Sequence, residues 1–138
     1  MRLAGVLLAA AIAALIVVGA VNLTSTDADQ RDLVPGADVD RGRKALVDYG
    51  CVTCHTIPGI PGADGKVGPP LTDFAERSVV AGRLPNTTED AVRWITSPQE
   101  VEPGTAMPDT GITREEARDV VAYLYTLGSR DRASRSQS

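Results

Sequence analysis

The sequence predicts an all-α domain whose helices are separated by long irregular loops. Three observations lead there. Apolar residues recur at helical spacing in separate segments after residue 37, no alternating run long enough for a strand is present, and two stretches rich in turn residues lie beside the cysteines, the histidine and Met107. Loops longer than about 12 residues are uncommon in compact domains unless they bind something. With 138 residues the chain holds one ordinary domain, and 4% aromatic residues leave few large side chains to fill its core. A bulky bound group would remove that difficulty. Two cysteines exclude a multi-disulfide scaffold, and a net charge of -4 argues against a nucleic-acid surface.

Residues 1–23 differ from the rest. Leu3 to Val21 is a run of 19 residues drawn from Leu, Ala, Val, Ile and Gly. A spanning helix needs about 20 mostly apolar residues, against about 7 to 15 for a signal-peptide core. Arg2 before the run and Asp27, Asp29 and Asp32 after it orient the N-terminus to the cytoplasm and the remainder outside. The expectation is a retained N-terminal anchor, on the periplasmic side of a bacterial cytoplasmic membrane. Cleavage after the small residues Val18-Gly19-Ala20, giving a soluble periplasmic protein, is the alternative.

Residues 24–37 are polar, carry Pro35-Gly36 and read as a linker. The domain is expected over 38–128. Asp38 is a candidate N-cap for a first helix reaching about Tyr49, with Gly50 ending it. Thr56 to Pro70 contains four Gly and four Pro, which disfavours regular structure. Thr72 or Asp73 can open a short helical turn. Thr87 leads into a helix carrying Ala91, Val92, Trp94 and Ile95, stopped by Ser97-Pro98. Gln99 to Gly111 reads as irregular. Thr113-x-x-Glu116 is a capping box, opening a helix with Ala117, Val120, Val121, Leu124 and Leu127 on one face, and Gly128 is its stop. The Arg/Ser-rich tail, 129–138, reads as disordered.

Cys51-Val52-Thr53-Cys54-His55 carries the chemistry. Two thiols at this spacing can add to the two vinyl groups of one porphyrin, and the adjacent imidazole then reaches the iron from one face. A disulfide or thioredoxin-like pair is the competing reading of a C-x-x-C, but no βαβ pattern surrounds it. Structural zinc needs four N/S ligands, and the chain has only these two cysteines and one histidine. The motif therefore points to one covalently attached haem c. The second axial ligand must come from elsewhere. His is exhausted and Met1 belongs to the export segment, so Met107 in Pro103-Gly104-Thr105-Ala106-Met107-Pro108 is the candidate. A lone Met is more often core filler, but one flanked by polar and turn residues would make poor core. A metal-bound imidazole donates its other nitrogen to an acceptor. The Pro69 carbonyl of Gly68-Pro69-Pro70-Leu71 suits that role, with Leu71 against the porphyrin face; a plain turn is the competing reading.

Together these residues resemble the class I, mitochondrial-type c-type cytochromes over Asp40 to Leu127. The resemblance rests on Gly42, the Cys51–His55 motif, Gly68-Pro69-Pro70-Leu71, Trp94-Ile95-x-x-Pro98, Pro103 to Met107, and Val120-Val121-Ala122-Tyr123-Leu124. It implies that the first and last helices cross at right angles with close contact near Gly42 and Tyr123. It also implies that Thr105 ties the methionine loop to the haem edge and that Trp94 lines the haem pocket, where relatives often carry Tyr. Core packing of Trp94 is compatible, because the haem is most of the core. Arg83-Leu84-Pro85-Asn86-Thr87, with His55-Thr56-Ile57 and Pro103-Gly104-Thr105, is similar more narrowly to the cytochrome c domain of bacterial haem–copper oxidase subunit II. No cupredoxin domain precedes it here, so the expectation is a free-standing, membrane-tethered relative.

The function these features imply is one-electron transfer outside the cytoplasmic membrane, in a respiratory chain, by a single-haem carrier that is not an enzyme. Expected partners are redox proteins, namely a membrane-bound oxidase or quinol-oxidising complex. A peroxidase or small-gas sensor is the alternative and needs an open iron site. A structural or assembly subunit has nothing in the sequence to support it. Residues 22–138 carry 13 Lys and Arg against 18 Asp and Glu, unlike strongly basic carriers that dock on acidic surfaces. Arg77, Arg83 and Arg93 are candidates for a local basic patch, or for a solvated face. A tether would raise effective concentration at membrane partners without such steering.

Overall fold

Asp38 accepts a hydrogen bond from the Arg41 amide and starts helix α1, Val39–Asp48, which buries Gly42, Ala45 and Leu46. At the other end of the domain Thr113 and Glu116 form the reciprocal capping box that opens α5, Arg114–Tyr125. These two helices cross with their backbones in contact: a Cβ on Gly42 would stand 1.9 Å from the Asp119 carbonyl oxygen and 2.9 Å from the Val120 amide. Only hydrogen fits there. Leu46, Val120 and Val121 are fully buried around the crossing, each contributing about 1.5–3 kcal/mol by leaving water. The resemblance placed this crossing near Gly42 and Tyr123; the backbone atoms nearest Gly42 are those of Asp119 and Val120, and the Tyr123 hydroxyl donates to the Pro58 carbonyl at 2.7 Å.

The same crossing holds a buried charge. Asp119 keeps 4% of its side chain exposed and accepts from the Asp38 amide at 2.7 Å and from Arg41 Nε at 2.7 Å and Nη2 at 3.1 Å. A carboxylate removed from water is tolerated when its oxygens are paired in this way.

This computed structural model describes residues 34–128. The expected anchor at 1–23, the linker as far as residue 33 and the tail at 129–138 lie outside the described residues. Among those described, no helix is long and apolar enough to cross a membrane. Within the expected linker, Val34 is fully buried and the Pro35 carbonyl accepts from Arg118 Nη2, so packing begins before Asp38.

Between the outer helices lie the one-turn helix α2, Cys51–Cys54, a 3-10 turn at Phe74–Glu76, α3, Thr88–Thr96, and α4, Pro98–Val101. Helix α3 packs on α5 through Ala91, Val92 and Ile95. The domain is mostly helical but not all-α: β1, Val79–Val80, pairs antiparallel with β2, Leu84–Pro85. Strands of two residues are too short to show alternation in sequence. Their hairpin is closed by Arg83 N–H donating to the Val80 carbonyl at 3.1 Å across Ala81 and Gly82, both at positive φ, the pattern that suits a tight hairpin. A second correction concerns Gln99 to Gly111: Pro98 takes the first position of α4, where its fixed φ suits a helix start.

Candidate haem site

Every site residue read from the sequence faces one cavity of about 590 Å³: Cys51, Cys54, His55, Pro69, Leu71, Trp94, Thr105 and Met107. That volume lies within the range of small-molecule and cofactor sites. Leu46, Phe74, Val80, Ile95, Val120 and Leu124 supply much of its apolar lining, so the cavity occupies the centre of the domain and the helices pack around it.

The two thiols stand on the single turn α2, and both are free. Burial pushes the Cys51 thiol up from its ordinary value. The Cys54 carbonyl accepts from the Gly68 amide at 2.9 Å and the Thr56 carbonyl from the Leu71 amide at 2.8 Å. These main-chain bonds clamp the 68–71 segment against the motif. His55 Nδ1 lies 2.7 Å from the Pro69 carbonyl oxygen. A carbonyl only accepts, so Nδ1 carries the proton and the lone pair sits on Nε2. Close fit continues at Gly68, where a Cβ would fall 2.3 Å from His55 Cε1 and 2.7 Å from Nδ1. The donor set suits a haem: two thiols one turn apart, an imidazole with one nitrogen already committed, and an apolar cavity beside them.

Met107 reaches the cavity from the loop after α4 and is half-buried against the core. Its amide donates to Thr105 Oγ1 at 3.4 Å. Gln99, which the sequence reading did not single out, donates through Nε2 to the Thr105 carbonyl at 2.9 Å and the Met107 carbonyl at 2.8 Å. Its signal was faint: an amide side chain in a first helical turn just before a turn-rich loop.

The three arginines read as a local basic patch or a solvated face take different places. Arg77 lines the cavity, lies 5.5 Å from the Phe74 ring centroid and donates to the Pro70 and Thr72 carbonyls. Arg83 pairs with Glu102. Arg93 remains exposed on α3. On the wall formed by α1, Tyr49 donates to Glu116 at 2.8 Å, which raises the phenol from its ordinary value and joins the cavity lining to the cap of α5.

The cytochrome c oxidase subunit 2 of Alkalihalophilus pseudofirmus is 35% identical over 89 residues, covering 64% of this chain and 25% of that subunit. Cytochrome c2 of Rhodoblastus acidophilus is 35% identical over 102 residues, covering 63% of this chain and 90% of the relative. Cytochrome c of Theileria parva is 30% identical over 112 residues, covering 71% and 93%. The chain thus spans about a quarter of the oxidase subunit and nearly all of the two small cytochromes. The family model for cytochrome c matches residues 39–128, from the first residue of α1 to the glycine after α5. Proteins of this family bind covalent haem c and carry electrons without being enzymes. With its domain matched from end to end, the chain belongs to the cytochrome c family.

Proposed function

We propose that this chain is a tethered single-haem electron carrier. It works on the periplasmic side of a bacterial cytoplasmic membrane and delivers electrons to a terminal oxidase, its donor being a quinol-oxidising complex. Cys51 and Cys54 would attach the haem, and His55 and Met107 would hold its iron. Bound in this way, haem supplies a one-electron couple between Fe(III) and Fe(II). The residues around it hold and tune. Pro69 fixes the imidazole tautomer, Leu71 and Trp94 exclude water, and Thr105 steadies the loop that carries Met107.

The observation that carries the reading is that His55 and Met107, the chain's only histidine and the only methionine outside the apolar leader, line the same cavity. With both residues holding the iron, no place would be left on it for a substrate, which favours transfer over catalysis. The tether is supported by the 19-residue apolar run from Leu3 to Val21. The oxidase assignment is supported by the similarity to an oxidase subunit 2.

Membranes of the source organism provide the test. Added reduced protein is expected to be reoxidised by them in a cyanide-sensitive reaction, and the native protein to resist extraction by carbonate. Reoxidation at the rate seen without membranes would overturn the oxidase assignment. Recovery in the soluble periplasm with Val21 as the N-terminus would overturn the tether.

A further inference from the structure

The loop that carries Met107 hangs on one side chain. Gln99, half-buried in the first turn of α4, spans it with three hydrogen bonds: Nε2 donates to the Thr105 and Met107 carbonyls, and Oε1 accepts from the Gly104 amide at 3.3 Å. The amide cannot be turned over without setting its oxygen against two carbonyls, so the network fixes its orientation. Two further ties hold the loop: Thr105 Oγ1 accepts from the Met107 amide at 3.4 Å, and the Thr105 amide donates to the Glu102 carbonyl at 3.1 Å, but neither takes up the Thr105 or Met107 carbonyl. Pro98, buried beneath, fixes the turn from which Gln99 projects.

We propose that Gln99 is a positioning residue that holds the Met107 loop closed, and that its two donated hydrogen bonds set how readily another ligand displaces the Met107 sulfur. The proposal rests on the reading of Met107 as an axial ligand. Full opening of the loop gives up both donated bonds, one from each N–H of the same amide. Each such bond is modest in net terms, but a carbonyl left without its partner in a half-buried site adds a desolvation cost. Gln99 therefore acts on the closed state of the loop and makes no contact with the reacting group.

Imidazole is the probe, titrated into the ferric haem-loaded protein and followed by the far-red sulfur-to-iron band. Gln99→Leu removes both donors and the acceptor. Gln99→Glu keeps the shape and the acceptor but loses both donors. Both variants are expected to bind imidazole at least about tenfold more tightly than wild type, equivalent to about 1.4 kcal/mol. Amide exchange at Gly104 should quicken, with little change at His55. A merely structural role would lower the melting temperature and leave imidazole affinity within twofold, and that result overturns the proposal. So does tighter binding in Gln99→Leu alone, which would make the residue a space-filler; if Gln99→Leu does not load haem, Gln99→Glu decides. A wild-type protein without the band overturns both this proposal and the reading of Met107, and that failure is seen before any variant is made.

Discussion

The two sides of the cavity are built by different means. On the His55 side the main chain does the holding: Gly68 N–H to the Cys54 carbonyl, Leu71 N–H to the Thr56 carbonyl, and the Pro69 carbonyl on the imidazole itself. Glycine is forced there by contact, at Gly65 against the Cys54 backbone and at Gly68 against the ring. On the Met107 side, among the described residues, the bonds on the loop from Thr105 to Met107 come mainly from side chains, those of Gln99 and Thr105. Main-chain bonds survive most substitutions, whereas side-chain bonds vanish with one. The comparison teaches that His55 is fixed by the fold and Met107 by an exchangeable clamp, so mutation should act on the two sides with different severity.

The most severe test lies on the fixed side. Gly68→Ala sets a methyl inside the imidazole contact, so the ring must leave Pro69 or the 68–71 segment must open. Overpacking of this kind costs on the order of 3 kcal/mol, and little folded, haem-loaded protein should be recovered, as measured by haem absorbance per chain. Normal loading would break the comparison at its stronger end.

Met107→Ala should be milder for the fold and sharper for the iron. Loss of a half-buried methionine side chain costs about 1–2 kcal/mol, below the range for fully buried sites. A thioether is a soft ligand that prefers Fe(II), so its removal should lower the reduction potential, abolish the far-red band and admit carbon monoxide. Redox titration and carbon monoxide difference spectra read these changes separately from a melting curve. An unchanged potential would show that the loop supplies no ligand.

The smallest effect is expected at Glu116. Its carboxyl accepts from Thr113 and then from Tyr49, which hold it below the ordinary glutamate value of 4.5. A folded value lowered in this way means the contribution to stability is complete above pH 4.5 and is lost as pH falls through the lower folded value. Glu116→Gln keeps a capping-box partner for Thr113 but has no carboxyl to titrate. Its stability should fall less steeply than wild type below about pH 4.5, as followed by denaturant midpoints, while the far-red band stays unchanged. A shifted band would mean that the Tyr49 wall and the Met107 loop are coupled, which sharpens the division drawn above.

What could be read from the sequence was what lies close along the chain. Cys51, Cys54 and His55 define their chemistry within five residues. Thr113 and Glu116 define a helix start within one turn, whereas the helix ends at Tyr125, short of the Gly128 stop read from the sequence. Met107 was singled out because the alternatives could be counted out, and Pro69 because an imidazole proposed as a ligand needs an acceptor; both line the cavity. These inferences use spacing and chemical inventory, which a sequence states in full.

Tertiary structure decided the pairings across long separations. Gly42 meets the backbone of Asp119 and Val120, and Asp119 gathers Arg41 and the Asp38 amide, about 80 positions away. The hairpin at Val79–Pro85 forms because two consecutive residues at positive φ close it, a conformation Ala81 does not advertise. Gln99 became visible only once α4 had aimed its side chain across the next loop, and the place of Arg77 only once its guanidinium had met Phe74 and the Pro70 and Thr72 carbonyls. The physical reason is the same in each case. Local spacing is constrained by the geometry of a single turn, whereas a distant contact depends on which faces pack and how closely their backbones approach.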